Sequence, residues 1–189
     1  AGRSGLQLMA VVTEGSASKE YRTPTDLELQ AICAAGQREA DVLSKLSGHS
    51  LHEPFEPIST RSISAQLYGV RQWRALFTSR QRLSLGTLGL HLHTAAEEIG
   101  TSGLQDTWRE AITDAICLSL DRLACFMCVN TRWKTDADSI TDAFSRFSIS
   151  LLWDFAEANP LGTAAGGFVR CNDRIATAYD TLLAGLRNP

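Results

Sequence analysis

Apolar and polar positions change their spacing several times along the chain, and each change predicts an element. Leu6 to Thr13 is a nearly continuous apolar run rich in Val, followed by EGSAS and then KEYR, which predicts a short hairpin with a flexible turn. Two strands alone are marginal in water, so this hairpin is expected to lean on the helices or on a sheet from outside the chain. Thr25-Asp26-Leu27-Glu28, just behind Pro24, has the form of a capping box. The apolar positions that follow, Leu27, Ile32, Ala35, Ala40, Leu43 and Leu46, make a one-sided stripe that stops at Gly48. Residues 48–64 hold Pro54, Pro57 and many small polar residues, predicting a surface connector. A short helix is expected over Arg71 to Leu76. A second capping box, Thr78-Ser79-Arg80-Gln81, then launches a long helix to about Glu98 with Leu83, Leu88, Leu92, Ala95 and Ile99 inward.

Ser102-Gly103-Leu104-Gln105 opens a third long helix, with Leu104, Trp108, Ile112, Ala115 and Ile116 at helical spacing. Its second half, Cys117 to Val129, is apolar nearly all round and is expected to be the most buried. After a polar break from Asn130 to Asp136, Ile140, Phe144 and Phe147 restart a helical period. Asn159-Pro160, Gly162, Gly166 and Gly167 impose irregular backbone, and TAAGGF reads as a mobile connector. A last helix spans about Phe168 to Leu186, with Ile175, Tyr179, Leu182 and Leu183 on its buried side. The pattern therefore predicts a mainly α fold of about five helices. Residues 1–23 form a small N-terminal β-hairpin and 24–189 a single main body, within the size of one core.

Charge adds a direction to this picture. The chain carries a net charge of -3, yet from Pro57 to Ala96 there is no Asp or Glu, while Arg61, Arg71, Arg74, Arg80 and Arg82 all fall inside. With Tyr68, Trp73 and Phe77 interleaved, the segment suits a polyanion whose phosphates accept from guanidinium forks and whose bases stack. Arg74, Arg80 and Arg82 cluster around the start of the second long helix, where backbone N–H groups also favour anions. The plainer reading is that such arginines are solvated or paired with carboxylates elsewhere in the chain.

Other chemistry is sparse. Asp154 and Glu157, three apart, share a face if their stretch is helical, a spacing for acting on a proton, a metal or an arginine; an ion pair to one of the arginines is the commonest use. Cys125 and Cys128 form a CxxC with no second pair, His91 and His93 point to different helical faces, and His49 and His52 fall in the connector, so no metal site is expected. The five cysteines are odd in number and scattered, which fits reduced thiols in a cytoplasm. No apolar run reaches the roughly 18 residues that span a bilayer. There is no phosphate loop, nucleophile elbow, HExxH or GxGxxG, so no catalytic residue is assigned. Asn159-Pro160-Leu161-Gly162 lacks the second proline and the aromatic of the motif with which amino-methyltransferases hold a flipped base. The N-terminus shows neither a secretion signal nor an initiator Met and reads as that of an excised piece.

Three stretches, YRTPTDLEL (Tyr21 to Leu29), LYGVRQWRALFTSRQRLSLGTL (Leu67 to Leu88) and WDFAEANPLGTAAGGF (Trp153 to Phe168), together resemble a family. It is that of the large adenine-specific DNA methylases that carry a zinc ribbon and are associated with phage-defence loci. The similarity covers nearly the whole chain in the same order. It departs at Ser79, where the family tends to have Pro, and at Val70, often Met. The resemblance implies that the chain is an insert between an S-adenosylmethionine-binding part and a downstream catalytic motif. The fragment would itself bind no cofactor, with S-adenosylmethionine held by the parent. In the leading reading the insert grips duplex DNA: Arg71, Arg74, Arg80 and Arg82 contact phosphates, Trp73 or Tyr68 stacks or wedges, and Asp154, Glu157 and Asn159 orient that corner or meet the active site. In the alternative it packs on the methylase core or a partner protein, with its arginines paired internally. A self-contained small-molecule enzyme built on the two carboxylates is the third reading.

Overall fold

The computed structural model describes residues 5–46, 52–55, 63–144 and 148–187. Val11–Glu14 (β1) and Lys19–Arg22 (β2) form the expected antiparallel hairpin, with Val11 opposite Arg22 and Glu14 opposite Lys19. Its support comes from a place the pattern did not predict. Arg132–Lys134 (β3) and Ser139–Thr141 (β4) make a second antiparallel hairpin where a fifth helix was expected from the spacing of Ile140 and Phe144. Four helices are therefore present among the described residues, not about five. The β3–β4 turn is made at Asp138, whose φ of 43° is the left-handed conformation that Asp tolerates. Across the two hairpins, Tyr21 donates to Asp138 Oδ1 at 2.9 Å and accepts from Trp133 Nε1 at 3.0 Å, its ring edge-on to the indole.

Helix α1 (Asp26–Lys45) starts at the predicted capping box: the Thr25 side chain accepts from the Glu28 backbone and Glu28 reaches back to Thr25 N at 2.8 Å. Arg22 forks onto the same Glu28 carboxylate, tying β2 to the helix start. This charge-assisted fork and the cap hold the Glu28 carboxyl down at about 2. Leu27 is not on the buried face; it is exposed. Helix α2 (Ser79–Gly100) starts at the second capping box. Helix α3 (Asp106–Phe126) has Gln105 as its N-cap with no side-chain cap bond, so it starts later than the expected opening at Ser102 and leaves Leu104 outside. Helix α4 spans Phe168–Arg187.

The extensive helix packing runs in chain order, α1 on α2, α2 on α3, α3 on α4, which makes a layer of helices. Gly86 sits where α2 comes close to α1: a Cβ there would lie 3.1 Å from Val42 and 3.3 Å from Leu43. Most of the buried apolar side chains fall into two clusters. One cluster joins Phe55, Ile63, Ala65, Leu76, Cys128 and Val129; the other joins Leu123, Phe126, Met127, Ile140 and Cys171. Cys117 to Val129, expected to be the most buried stretch, is so only in its later part: Leu123, Met127 and Cys128 are almost wholly buried, whereas Cys117 and Leu118 are exposed. The expectation for α4 does not hold. Tyr179, Leu182 and Leu183 are exposed, because among the described residues it is the start of the helix, at Phe168 and Cys171, that packs into the core.

Two further expectations change. Of the 48–64 connector, the described part is tied into the core: Phe55 is buried, its N–H donates to the Arg71 carbonyl, and Trp73 N–H donates to Glu53. His49, Pro57, Arg61 and Phe147 lie outside the described residues. TAAGGF is a tight turn rather than a mobile connector. Gly166 and Gly167 are buried, Gly167 N–H donates to Ala164 O at 3.0 Å and Phe168 N–H to Pro160 O at 2.8 Å, which launches α4.

Candidate functional site

Short 3₁₀ turns at Ser64–Tyr68 and Trp73–Leu76 bring the basic segment to the start of α2. Here the chain must satisfy the free N–H groups of a helix entrance that is itself buried, since Thr78 and Gln81 expose 4% and 0% of their surface. The capping box does so from both sides. Thr78 Oγ1 accepts from Gln81 N at 3.2 Å, and Gln81 Oε1 accepts from Thr78 N at 2.8 Å.

Arg82, one residue beyond the box, points back over this entrance. Nε donates to Glu39 Oε1 at 2.5 Å and Nη2 to Glu39 Oε2 at 3.1 Å; Nη2 also donates to Ser79, and Nη1 donates to the carbonyls of Arg74 and Phe77. A guanidinium has five N–H donors, and five bonds are made. Glu39 is buried on α1, so this fork ties α1 to α2. The guanidinium, first of all, and Ser79 hold the Glu39 carboxyl below its usual range against the opposing effect of burial.

Arg80 faces the other way, onto the irregular segment that runs from residue 148 to 160. Its Nε and Nη2 fork onto Glu157 Oε1 and Oε2 at 2.8 and 3.0 Å. Thr78 Oγ1 donates to the same carboxylate at 3.4 Å. The anion at this helix entrance is thus the chain's own Glu157. The segment that carries it is not helical, so Asp154 and Glu157 do not form a facing pair. Asp154 is exposed, and the Asn159 side chain accepts from Leu161 N at 3.1 Å, closing a turn over Pro160 rather than reaching the arginines. The segment is fixed instead by backbone: Ala156 N–H donates to Thr131 O, Thr131 Oγ1 donates to Ala156 O, and Ile149 bridges to Ile63.

The other named residues separate. Arg74 donates to the His52 imidazole, with Nη1 3.2 Å from either ring nitrogen, and Arg71 is exposed. Trp73 is half-buried, its ring 4.5 Å from Phe55 and part of the core cluster, so it is not a free stacking surface. Tyr68 is exposed and meets Trp153 edge-on, ring centres 5.8 Å apart.

Three participants were missed from sequence: Glu39, His52 and Trp153. Glu39 left a readable signal, because it falls on the stripe of Ile32, Ala35, Val42 and Leu46 as a lone charge among apolar residues, where a buried carboxylate requires a partner. His52 and Trp153 left none, since only the tertiary fold sets them beside Arg74 and Tyr68.

Among the described residues no three His, Cys, Asp or Glu side chains are placed to hold a metal ion, and no helix is long and apolar enough to cross a membrane. Burial raises the Cys125, Cys128 and Cys171 thiols, Cys128 to about 11, which keeps them protonated. Comparison with known protein families, with curated proteins and with solved structures found no match.

Proposed function

We propose that this chain is an accessory segment of an S-adenosylmethionine-dependent DNA adenine methyltransferase, acting in the cytoplasm in defence against phage. Its basic helix entrance works as an internal lock rather than as a grip on DNA. The class of parent rests on the resemblance of the Tyr21, Leu67 and Trp153 stretches. One observation carries the choice of role: Arg82 spends all five donors within the chain, and Arg80 is forked onto Glu157. Arg82 has no donor left for a phosphate, and Arg80, whose fork uses two of its five donors, has its charge met by Glu157. What they do instead is fix α1 and the 148–160 segment to α2. Cofactor binding and methyl transfer belong to the rest of the parent chain, on which this helical layer packs through its exposed apolar side chains.

A second reading, direct contact with duplex DNA, is favoured by one observation, the exposed Arg71 in a segment without acidic residues. Binding of a labelled duplex across a salt series, with wild-type chain, Arg80→Ala and Arg71→Ala, separates the two. The lock reading expects Arg80→Ala to lower the melting temperature and leave any duplex affinity as it was. A folded Arg80→Ala variant that loses affinity, with a salt slope reduced by about one, would return the entrance to the DNA-grip reading.

A further inference from the structure

The aromatic pair at the edge of the lock has no role in it. Tyr68 and Trp153 expose 59% and 77% of their surface, far more than such large rings usually do. Their ring planes stand at 81° to one another, so the edge of one ring meets one face of the other and the remaining faces are left free by the pairing. Tyr68 sits on firm support. It ends the Ser64–Tyr68 turn, whose Ala65 is wholly buried, donates to Ile149 O and accepts from Val70 N and from the Gly69 N–H. Gly69, at φ 90°, turns the chain sharply after it, as a non-Gly residue would do only under strain. Two exposed rings, with Tyr68 held on a braced turn, offer a stacking platform.

Charge selects the occupant. Tyr68 and the exposed Arg71 lie in the stretch from residue 57 to 96 that holds no Asp or Glu, so the tyrosine side of the platform attracts an anionic backbone. The exposed Asp154 beside Trp153 repels phosphate, which leaves the indole for a base rather than for the backbone. We infer that Tyr68 and Trp153 stack unpaired bases of a single-stranded nucleic acid whose backbone passes on the Arg71 side. This deepens the proposed function, resting on its parent's work on DNA for the context but on the rings and charges for the site. Duplex DNA keeps its base faces stacked, so the platform prefers a single strand.

The test uses the whole chain with a labelled 12-nucleotide oligothymidine strand and the same strand annealed to its complement, at about 50 mM salt and upward. The wild-type chain is expected to bind the single strand more tightly than the duplex. Trp153→Ala and Tyr68→Ala each weaken single-strand binding about tenfold with unchanged melting temperature, because both rings are exposed. Arg71→Ala lowers the salt slope by about one. Equal binding by wild-type and both aromatic variants overturns the inference, as does a wild-type dimer that Trp153→Ala dissociates, which would assign the rings to a protein contact. Absence of any single-strand binding overturns it too. None of these outcomes touches the internal lock, which is read by unfolding alone.

Discussion

Arg82→Ala is the most informative perturbation, because its cost follows from groups whose positions are known. Removal of the guanidinium leaves Glu39, 7% exposed, as a carboxylate without its partner in the groove between α1 and α2. Breaking a buried pair from one side costs about 3–5 kcal/mol, since the remaining charge has lost both water and partner. The Arg74 and Phe77 carbonyls lose a donor at the same time, although water can reach this edge and offset part of that loss. Against a typical total of about 5–15 kcal/mol, such a loss is a large part of the stability. Urea unfolding followed by far-ultraviolet circular dichroism measures it. The pair Arg82→Met with Glu39→Leu is expected to recover most of the loss, because it removes both charges and keeps the volume. The pH dependence has a defined sign. The folded Glu39 carboxyl is depressed, so its contribution is present above the ordinary value of 4.5 and disappears as pH falls through the folded value. In Arg82→Ala that acid-linked loss should vanish. A single variant within about 0.5 kcal/mol of wild type, with no coupling between positions 39 and 82, would refute the lock.

Two further outcomes test the surroundings. The Cys128 thiol is raised from 9.0 to about 11 by burial, so the folded state holds its proton longer than the unfolded chain; stability is full below pH 9 and falls by roughly 2–3 kcal/mol as pH rises towards 11, a loss that Cys128→Ala should abolish in urea titrations. At Gly166, φ is 86° and an added Cβ would lie 2.6 Å from the Ala158 Cβ and 3.1 Å from the Phe126 Cβ, so Gly166→Ala is expected to cost more than about 1 kcal/mol by thermal unfolding, whereas Gly185→Ala, with open space around it, should be neutral or stabilising.

What the sequence revealed follows from the range of the interactions involved. Both capping boxes were legible because their partners lie three residues apart, and the Val-rich run marked the first hairpin for a similar reason. The β3–β4 hairpin was not, because Ile140 and Phe144 satisfy a helical spacing while the pairing of Trp133 with Ile140 is decided across a turn at Asp138. The α4 stripe was read correctly as amphipathic but not as uncovered, since periodicity shows that a helix has an apolar face and not what meets it. At the site, Arg80, Arg82 and Glu157 were named and the alternative of internal pairing was open. The partner of Arg82 was not, because Glu39 is forty-three positions away in sequence and only the packing of α1 on α2 brings it near.

The absence of acidic residues between 57 and 96 has a consequence when the two forks are set beside each other. Had the segment carried its own carboxylates, Arg80 and Arg82 could have closed local pairs at three or four residues along α2, and such pairs stabilise one helix without joining it to anything. Their acids come instead from α1 and from the 148–160 segment, so each fork forms only once distant parts of the chain are in place. Both converge on a helix entrance where Thr78 and Gln81 close two of the backbone donors. Positive charge without local acid is also the pattern of a phosphate-binding patch, and sequence alone does not separate the two uses. The separation lies in the donors: Arg82 has none left to offer, and the exposed Arg71, three positions after Tyr68 in sequence, is where an outside anion has to be sought.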